Sequence, residues 1–301
     1  MNATVLAPIL EETSVDHGKR FIPEEFTPLF YTQFYRELTE GQRLRYNQLQ
    51  ALYFNEQIIF FETAIGRKVL EALLRDSWPQ RLTDGLRQFL EEERQHTEMF
   101  RRLNQRCASQ WYGARDFYFI QPPRAWMVVL NWATHCARLF PMFLSLMLVQ
   151  EERSLFYSKR FIAQSGALEP HFVKMHRMHL ADEIGHVHWD EVLIEALWLR
   201  ASPFLRKMNA QLFAWMLGEF FSTPKRAQIR VVHQLAQEFS TLRKHEPEML
   251  RQLLALSQDV RYQMSLYSRE IVPGAFARFD GWPEFRALEI CGYRRRPEEA
   301  R

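Results

Sequence analysis

Twice in this chain a glutamate set in an apolar run is followed, at one fixed interval, by Glu-x-x-His: Glu62 by Glu93 and His96, then Glu152 by Glu183 and His186. The interval is 31 residues in both halves (93 − 62 = 183 − 152 = 31). That is about the length needed to climb one helix, turn, and return to the same height on an antiparallel neighbour. A chain built this way is confined to antiparallel helical hairpins, and two such hairpins packed together bring four carboxylates and two imidazoles to one level.

The rest of the sequence agrees with helices throughout. Only 11 glycines occur in 301 residues, and apolar residues recur at three- and four-residue intervals rather than alternating. Helices are expected at about 42–76, 82–106, 124–138, 141–164 and 171–200, with further ones after Pro203, Pro224 and Pro247. Residues 1–40, broken by Pro8, Pro23 and Pro28, read as an irregular leader. Residues 41–272 read as a single helical-bundle domain and 273–301 as an irregular tail. No glycine-rich phosphate loop is present, which sets aside dinucleotide and P-loop nucleotide sites. Lys plus Arg (39) nearly balance Asp plus Glu (36), too even for a surface built on nucleic-acid phosphates. Cys107, Cys136 and Cys291 show no paired spacing, which argues against a zinc ribbon or disulfide framework and suits a reducing cytoplasm. The N-terminus has no basic leader before its apolar run and does not read as a signal peptide. The most apolar window, Ala125 to Val149, is interrupted by Asn131, His135, Arg138 and Pro141 and falls short of a membrane span. A soluble, cytoplasmic protein with no membrane or nucleic-acid partner is therefore expected.

The densest chemistry lies in HRMHLADEIGH, residues 176–186. His179, Glu183 and His186 occupy positions i, i+4 and i+7 of a helix, one narrow stripe whose side chains converge. Glu56 lies about 120° around its helix from Glu62, and Glu151 about 100° from Glu152, so Glu62 and Glu152 are the preferred partners of the two Glu-x-x-His pairs. Grouping four carboxylates in an apolar interior costs several kcal/mol per charge unless cations neutralise them. A pair of metal ions does so, and carboxylate and imidazole donors without thiolate suit iron, though ligand type alone does not separate iron from manganese. His176 and His188 fall off the stripe and read as surface or supporting residues. Asp182 and Asp190 read equally as acids that orient ligand imidazoles through their free ring nitrogens and as solvated acids, and the run Glu91 to Glu93 reads as a solvated face with one member turned inward. The fold class that follows is all-α, a ferritin-like four-helix bundle core with additional helices.

Taken together, Glu62, Glu93xxHis96, Glu152 and HisxxxGluxxHis at 179, 183 and 186 resemble the ligand set of the AurF-like di-iron N-oxygenases. The resemblance spans roughly residues 45–200, and its distinctive part is the seventh ligand, His179. It implies a homodimer of helical bundles in which Glu93 and Glu183 bridge two iron ions. Glu62 and His96 would complete one site, and Glu152, His179 and His186 the other. It further implies O2 as co-substrate, an external electron donor, and oxidation of an amine nitrogen to hydroxylamine and onward to nitroso or nitro. Ile58, Ile59, Phe60 and Phe61 before Glu62 include no cation, which points to a small neutral amine or an amino acid tethered to a carrier protein, with Arg94 and Arg153 as the alternative sources of positive charge. The alternatives are a ferritin-like desaturase or hydroxylase acting on C–H bonds, which lacks the seventh ligand, and a non-catalytic helical scaffold, which binds no metal. Radical-generating subunits carry Tyr where this chain has Phe100, and rubrerythrins add CxxC pairs.

Overall fold

The computed structural model describes residues 14–222, 226–286 and 289–294. Among these the chain is all-α, with no strand and one isolated bridge, Arg20 to Leu168. Four long segments form the bundle: α1 (Glu40–Phe61), which runs through a π-helical turn (Glu62–Gly66) into α2 (Arg67–Leu73); α3 (Gln80–Cys107); and, after the shorter α4 (Arg124–His135), α5 (Met142–Ala163) and α6 (Pro170–Arg200). The layer that follows comprises α7 (Pro203–Met216), α8 (Arg226–Glu238), α9 (Glu246–Ala255), α10 (Val260–Leu266) and α11 (Pro273–Asp280).

Helix starts follow from local chemistry. Thr39 and Gln42 form a reciprocal capping box at α1. Glu169 accepts the amides of His171 and Phe172 at α6, where Pro170 occupies the first turn. Ser202 caps α7 ahead of Pro203 in the same way. The hairpin α5–α6 packs along its length, while α3 lies against both α1 and α6. The approach of α3 to α6 requires Gly85, because a Cβ there would lie 2.2 Å from the Trp189 ring. Tyr46, Phe89, Leu146, Leu193 and Trp198 are among the side chains that fill the interior.

Residues 14–39 run through short 3-10 turns, and Phe21, Leu29 and Phe34 are buried on the bundle. Asn47 of α1 fixes this stretch, accepting the Phe21 and Ile22 amides and donating to the Ile22 carbonyl. The expected leader's first 13 residues and the last seven of the expected tail lie outside the described residues. The tail departs from expectation. Pro273 opens a regular helix, α11, whose Phe276 and Phe279 are buried against Tyr293 and Phe285. No described helix is long and apolar enough to cross a membrane.

Candidate metal centre

The site lies between α1, α3, α5 and α6. Glu62 sits where α1 changes to π-helical hydrogen bonding, an irregularity that recurs at functional positions because the extra residue redirects a side chain. Its Oε2 accepts from the Thr97 hydroxyl of α3 at 2.7 Å. From α3 come Glu93 and His96, and from α6 come His179, Glu183 and His186, all six residues buried. Two overlapping groups have ligand atoms within 4.8 Å of one another: Glu93, His96, Glu183 and His186; and Glu62, His96 and His179. His179 therefore gathers on the Glu62 and His96 side rather than with His186, a different division from the expected one.

Each histidine turns one ring nitrogen inward and has the other near an outer partner. His96 directs Nδ1 to Glu183 at 3.6 Å, and its Nε2 lies 3.1 Å from Asp182. His186 directs Nδ1 to Glu93 (3.3 Å) and Glu183 (3.5 Å), with Nε2 3.1 Å from Glu92. His179 places Nε2 2.7 Å from Glu183 and 3.7 Å from Glu62, with Nδ1 beside the Ser154 hydroxyl. Outer acceptors of this kind fix the tautomer that leaves the inner nitrogen free to bind an ion. Of its two readings Asp182 thus has the orienting one, toward His96 across the helix interface. Glu92 takes that part for His186, which the sequence reading missed. Asp190 does not: it is buried with both carboxylate oxygens unpaired.

The second-half glutamate is where the structure corrects the sequence. Glu152 does not join the cluster. Its carboxylate accepts the amides of Gly274 (2.8 Å) and Ala275 (2.9 Å) at the start of α11, a helix end that favours negative charge. The seat is shaped for it, since a Cβ on Gly274 would stand 2.4 Å from Glu152 Oε1. Glu151 is the neighbour that turns inward, fully enclosed beside Glu183, with Glu93 and Asp190 acting on it. The equal spacing of the two halves misled because spacing sets only the height of a residue along its helix: the inward residue of α5 stands 32 residues before Glu183 (183 − 151 = 32), one more than the interval in the first half. A signal was present in α5. Ser154 touches His179 and Ser158 touches His176, and Glu151 stands at i−3 and i−7 from them, on the same helix face.

Of the remaining candidates, Glu56 is buried away from the cluster and accepts hydrogen bonds from the Tyr112 hydroxyl and the amides of Tyr118, Phe119 and Ile120. It pins the loop between α3 and α4. His188 is exposed. His176 is not a surface residue: its ring stacks on Phe161 at 3.6 Å, and burial holds it well below the usual imidazole range, so it is neutral. Glu91 is exposed, as a solvated face predicts. Phe100 is buried edge-on to His179, with ring centroids 5.3 Å apart.

The electrostatics are those of a site short of positive charge. Burial, followed by the Glu62 charge, drives Glu93 well above the ordinary carboxylate range. Burial, followed by Glu183, does the same to Glu151. Burial also opposes ionisation of Glu183, but His179, a hydrogen bond with Glu151 and the charge of His186 together outweigh it and hold that carboxyl well below its usual range. His179 responds in kind: burial works against its charge, yet Glu183 and Glu62 push it up to about 10. Inward-facing His96 Nδ1, His186 Nδ1 and both Glu183 oxygens are buried with no hydrogen-bond partner outside the cluster. Orphaned buried donors and acceptors are rare, and converging lone pairs of oxygen and imidazole nitrogen are what a transition-metal ion takes up. The residues present fit such ions.

Beside the cluster lies a cavity of about 60 Å³ reached by Glu62, Glu151, His179 and the apolar Ile58 and Phe61. Gln57 and Phe221 form part of its wall and also face a larger groove, about 430 Å³, lined by Phe60, Trp126 and Phe220.

An all-α bundle with a buried carboxylate and histidine cluster capable of holding metal defines the class as a helical-bundle metal-site protein. The family model described as P-aminobenzoate N-oxygenase AurF matches residues 7–264, and the chain belongs to that family of oxygenases. Among curated proteins no relative matches the chain.

Proposed function

We propose that the protein is a di-iron, O2-dependent monooxygenase that oxidises an amine nitrogen. One observation carries this reading: in a chain of the N-oxygenase family, the inward atoms of His96, His186 and Glu183 are buried and meet only the other carboxylates and imidazoles of the cluster. The ligand set proposed is Glu62, Glu93, His96, His179, Glu183 and His186 with Glu151 in place of Glu152, because Glu151 alone of that pair faces the cluster. Two Fe(II) ions carry four positive charges, which matches the carboxylates of Glu62, Glu93, Glu151 and Glu183. Bound there, the iron pair would supply the oxidising chemistry for O2.

The chain's own residues do the rest. Thr97 holds one oxygen of Glu62 and leaves the other for an ion. Asp182, Glu92 and Ser154 fix the three imidazoles by their outer nitrogens. Phe61, Ile58 and Phe221 line the adjacent cavity and keep bulk water from the reacting amine, which strengthens the site's electrostatics. The balanced step is R–NH2 + O2 + two electrons + two protons giving R–NHOH and water, with the electrons from an external donor and further rounds leading toward nitroso or nitro products. A cytoplasmic homodimer is part of the reading: Val128, Val129 and Trp132 on α4 form an exposed apolar strip, of a kind that marks contact surfaces. The test is incubation of the iron-loaded, reduced protein with 18O2 and a panel of free and carrier-bound amines. Gain of one labelled oxygen on nitrogen is expected; desaturation or carbon hydroxylation would transfer the site to C–H chemistry.

A further inference from the structure

The cavity beside the cluster measures about 60 Å³, room for about two water molecules. The groove outside it measures about 430 Å³, within the range of sites that enclose organic molecules, roughly 300–1,000 Å³. An amine can therefore bring its nitrogen to the cluster only if its body stays in the groove.

Among the described residues, Gln57 and Phe221 alone line both spaces. They also border a third, of about 40 Å³, beside Phe26 and Pro28 of the leader. The Phe221 ring is half-buried and stands edge-on to Phe61, with ring centroids 5.8 Å apart. Phe61 lines the cavity and its neighbour Phe60 the groove, so the Phe61 and Phe221 rings form the partition between them. Phe221 is carried on a π-helical turn, Leu217–Ser222, that continues α7; such turns are rare and recur at functional positions. The backbone of this turn is held at its end. The Ser222 hydroxyl donates to the Leu217 and Gly218 carbonyls, both at 3.1 Å, and the Gln263 side chain donates to the Ser222 carbonyl at 3.1 Å. The ring itself has only dispersion contacts to lose when it turns about its own side-chain bonds, and the 40 Å³ space beside it receives the motion.

We propose that Phe221 is a gate that joins groove and cavity when it turns aside, and that it selects amines whose nitrogen stands at the end of a narrow, unbranched stem. With the body of such an amine in the groove, the stem passes between Phe61 and Phe221, and the ring closes on it and keeps water out. Bulk on the atoms next to the nitrogen meets the partition instead. The choice among amines rests on the N-oxygenase reading; the gate does not.

Cysteine labelling reads the gate in metal-free protein. Ile58→Cys places a thiol in the cavity and Phe60→Cys one in the groove, and peptide mass spectrometry separates both from Cys107, Cys136 and Cys291. A thiol reached only through a local opening reacts in proportion to the open fraction. Relative to the methyl reagent, cyclohexyl methanethiosulfonate is expected to label the cavity thiol at least about tenfold more slowly than the groove thiol. Phe221→Ala removes that difference through the cavity thiol alone, and Phe221→Trp widens it. Circular dichroism establishes that the variants fold; should Phe221→Ala not fold, Phe221→Leu and Phe221→Trp decide. In the iron-loaded enzyme under 18O2, 3-phenylpropylamine is expected to be N-oxidised about tenfold faster than 1-methyl-3-phenylpropylamine, the order of discrimination one added carbon allows. Phe221→Ala narrows that ratio. Equal labelling of the two thiols with Phe221 in place, or a labelling ratio unmoved by Phe221→Ala, would overturn the gate, and equal oxidation of the two amines would overturn the selection. Gated labelling with no N-oxidised product from any amine would keep the gate and remove the N-oxygenase reading together with the amine selection that rests on it.

Discussion

The two halves of the bundle solve one problem with different precision of sequence. In the first half, Glu62, Glu93 and His96 stand where helical spacing predicts, and the π-helical turn at Glu62–Gly66 adjusts the glutamate locally. In the second half, Glu183 and His186 follow the same rule, but the lone glutamate shifts by one residue and a third histidine is added. A one-residue shift on a helix rotates a side chain by about 100°, enough to turn a cluster residue into a helix anchor. Glu152 has become that anchor, tying α11 to α5 through Gly274 and Ala275. The difference teaches that spacing between helices locates the height of a ligand, whereas the faces of the two helices decide which residue at that height points inward.

The largest effect is expected where both halves meet. Glu183→Gln should abolish iron uptake at both positions, read as loss of metal by mass spectrometry of the intact protein. The metal-free variant should be at least as stable to heat as the metal-free wild type, since one buried charge is gone; iron should raise the wild-type melting point alone. Next comes the neighbouring pair. Glu151→Ala should lower bound iron from two ions toward one with α11 intact. Glu152→Ala should keep both ions and lose about 2 kcal/mol of stability, the order of two amide bonds to a charged acceptor, seen in chemical denaturation. The opposite pattern would restore Glu152 to the ligand set. A smaller effect is expected at the outer partners: Asp182→Asn, behind His96, should weaken iron binding about 10- to 100-fold. Ser154→Ala, behind His179, should weaken it less, because a neutral hydroxyl polarises an imidazole less than a carboxylate does.

The helices were legible because apolar periodicity and proline punctuation act locally: α3, α5 and α6 begin and end within a few residues of where the sequence puts them. Helix α11 was not, because eight residues with two glycines nearby and Pro273 in front carry a weak periodic signal, and the helix depends on Glu152 and the packing of Phe276 and Phe279. Of the cluster, the triple on α6 was readable since its three residues share one stripe of one helix. Glu92 and Thr97 were not singled out, because their partners, His186 and Glu62, lie on other helices and no intrahelical rule joins them.

The claim on which the rest depends is that these buried side chains enclose a pair of ions. Anomalous diffraction from crystals of the iron-loaded protein tests it directly. Two iron peaks are expected among Glu62, Glu93, His96, His179, Glu183 and His186, with Glu151 coordinated and Glu152 still on the α11 amides. No anomalous peak inside the cluster, with His96 and His186 bonded to protein groups instead, would contradict it.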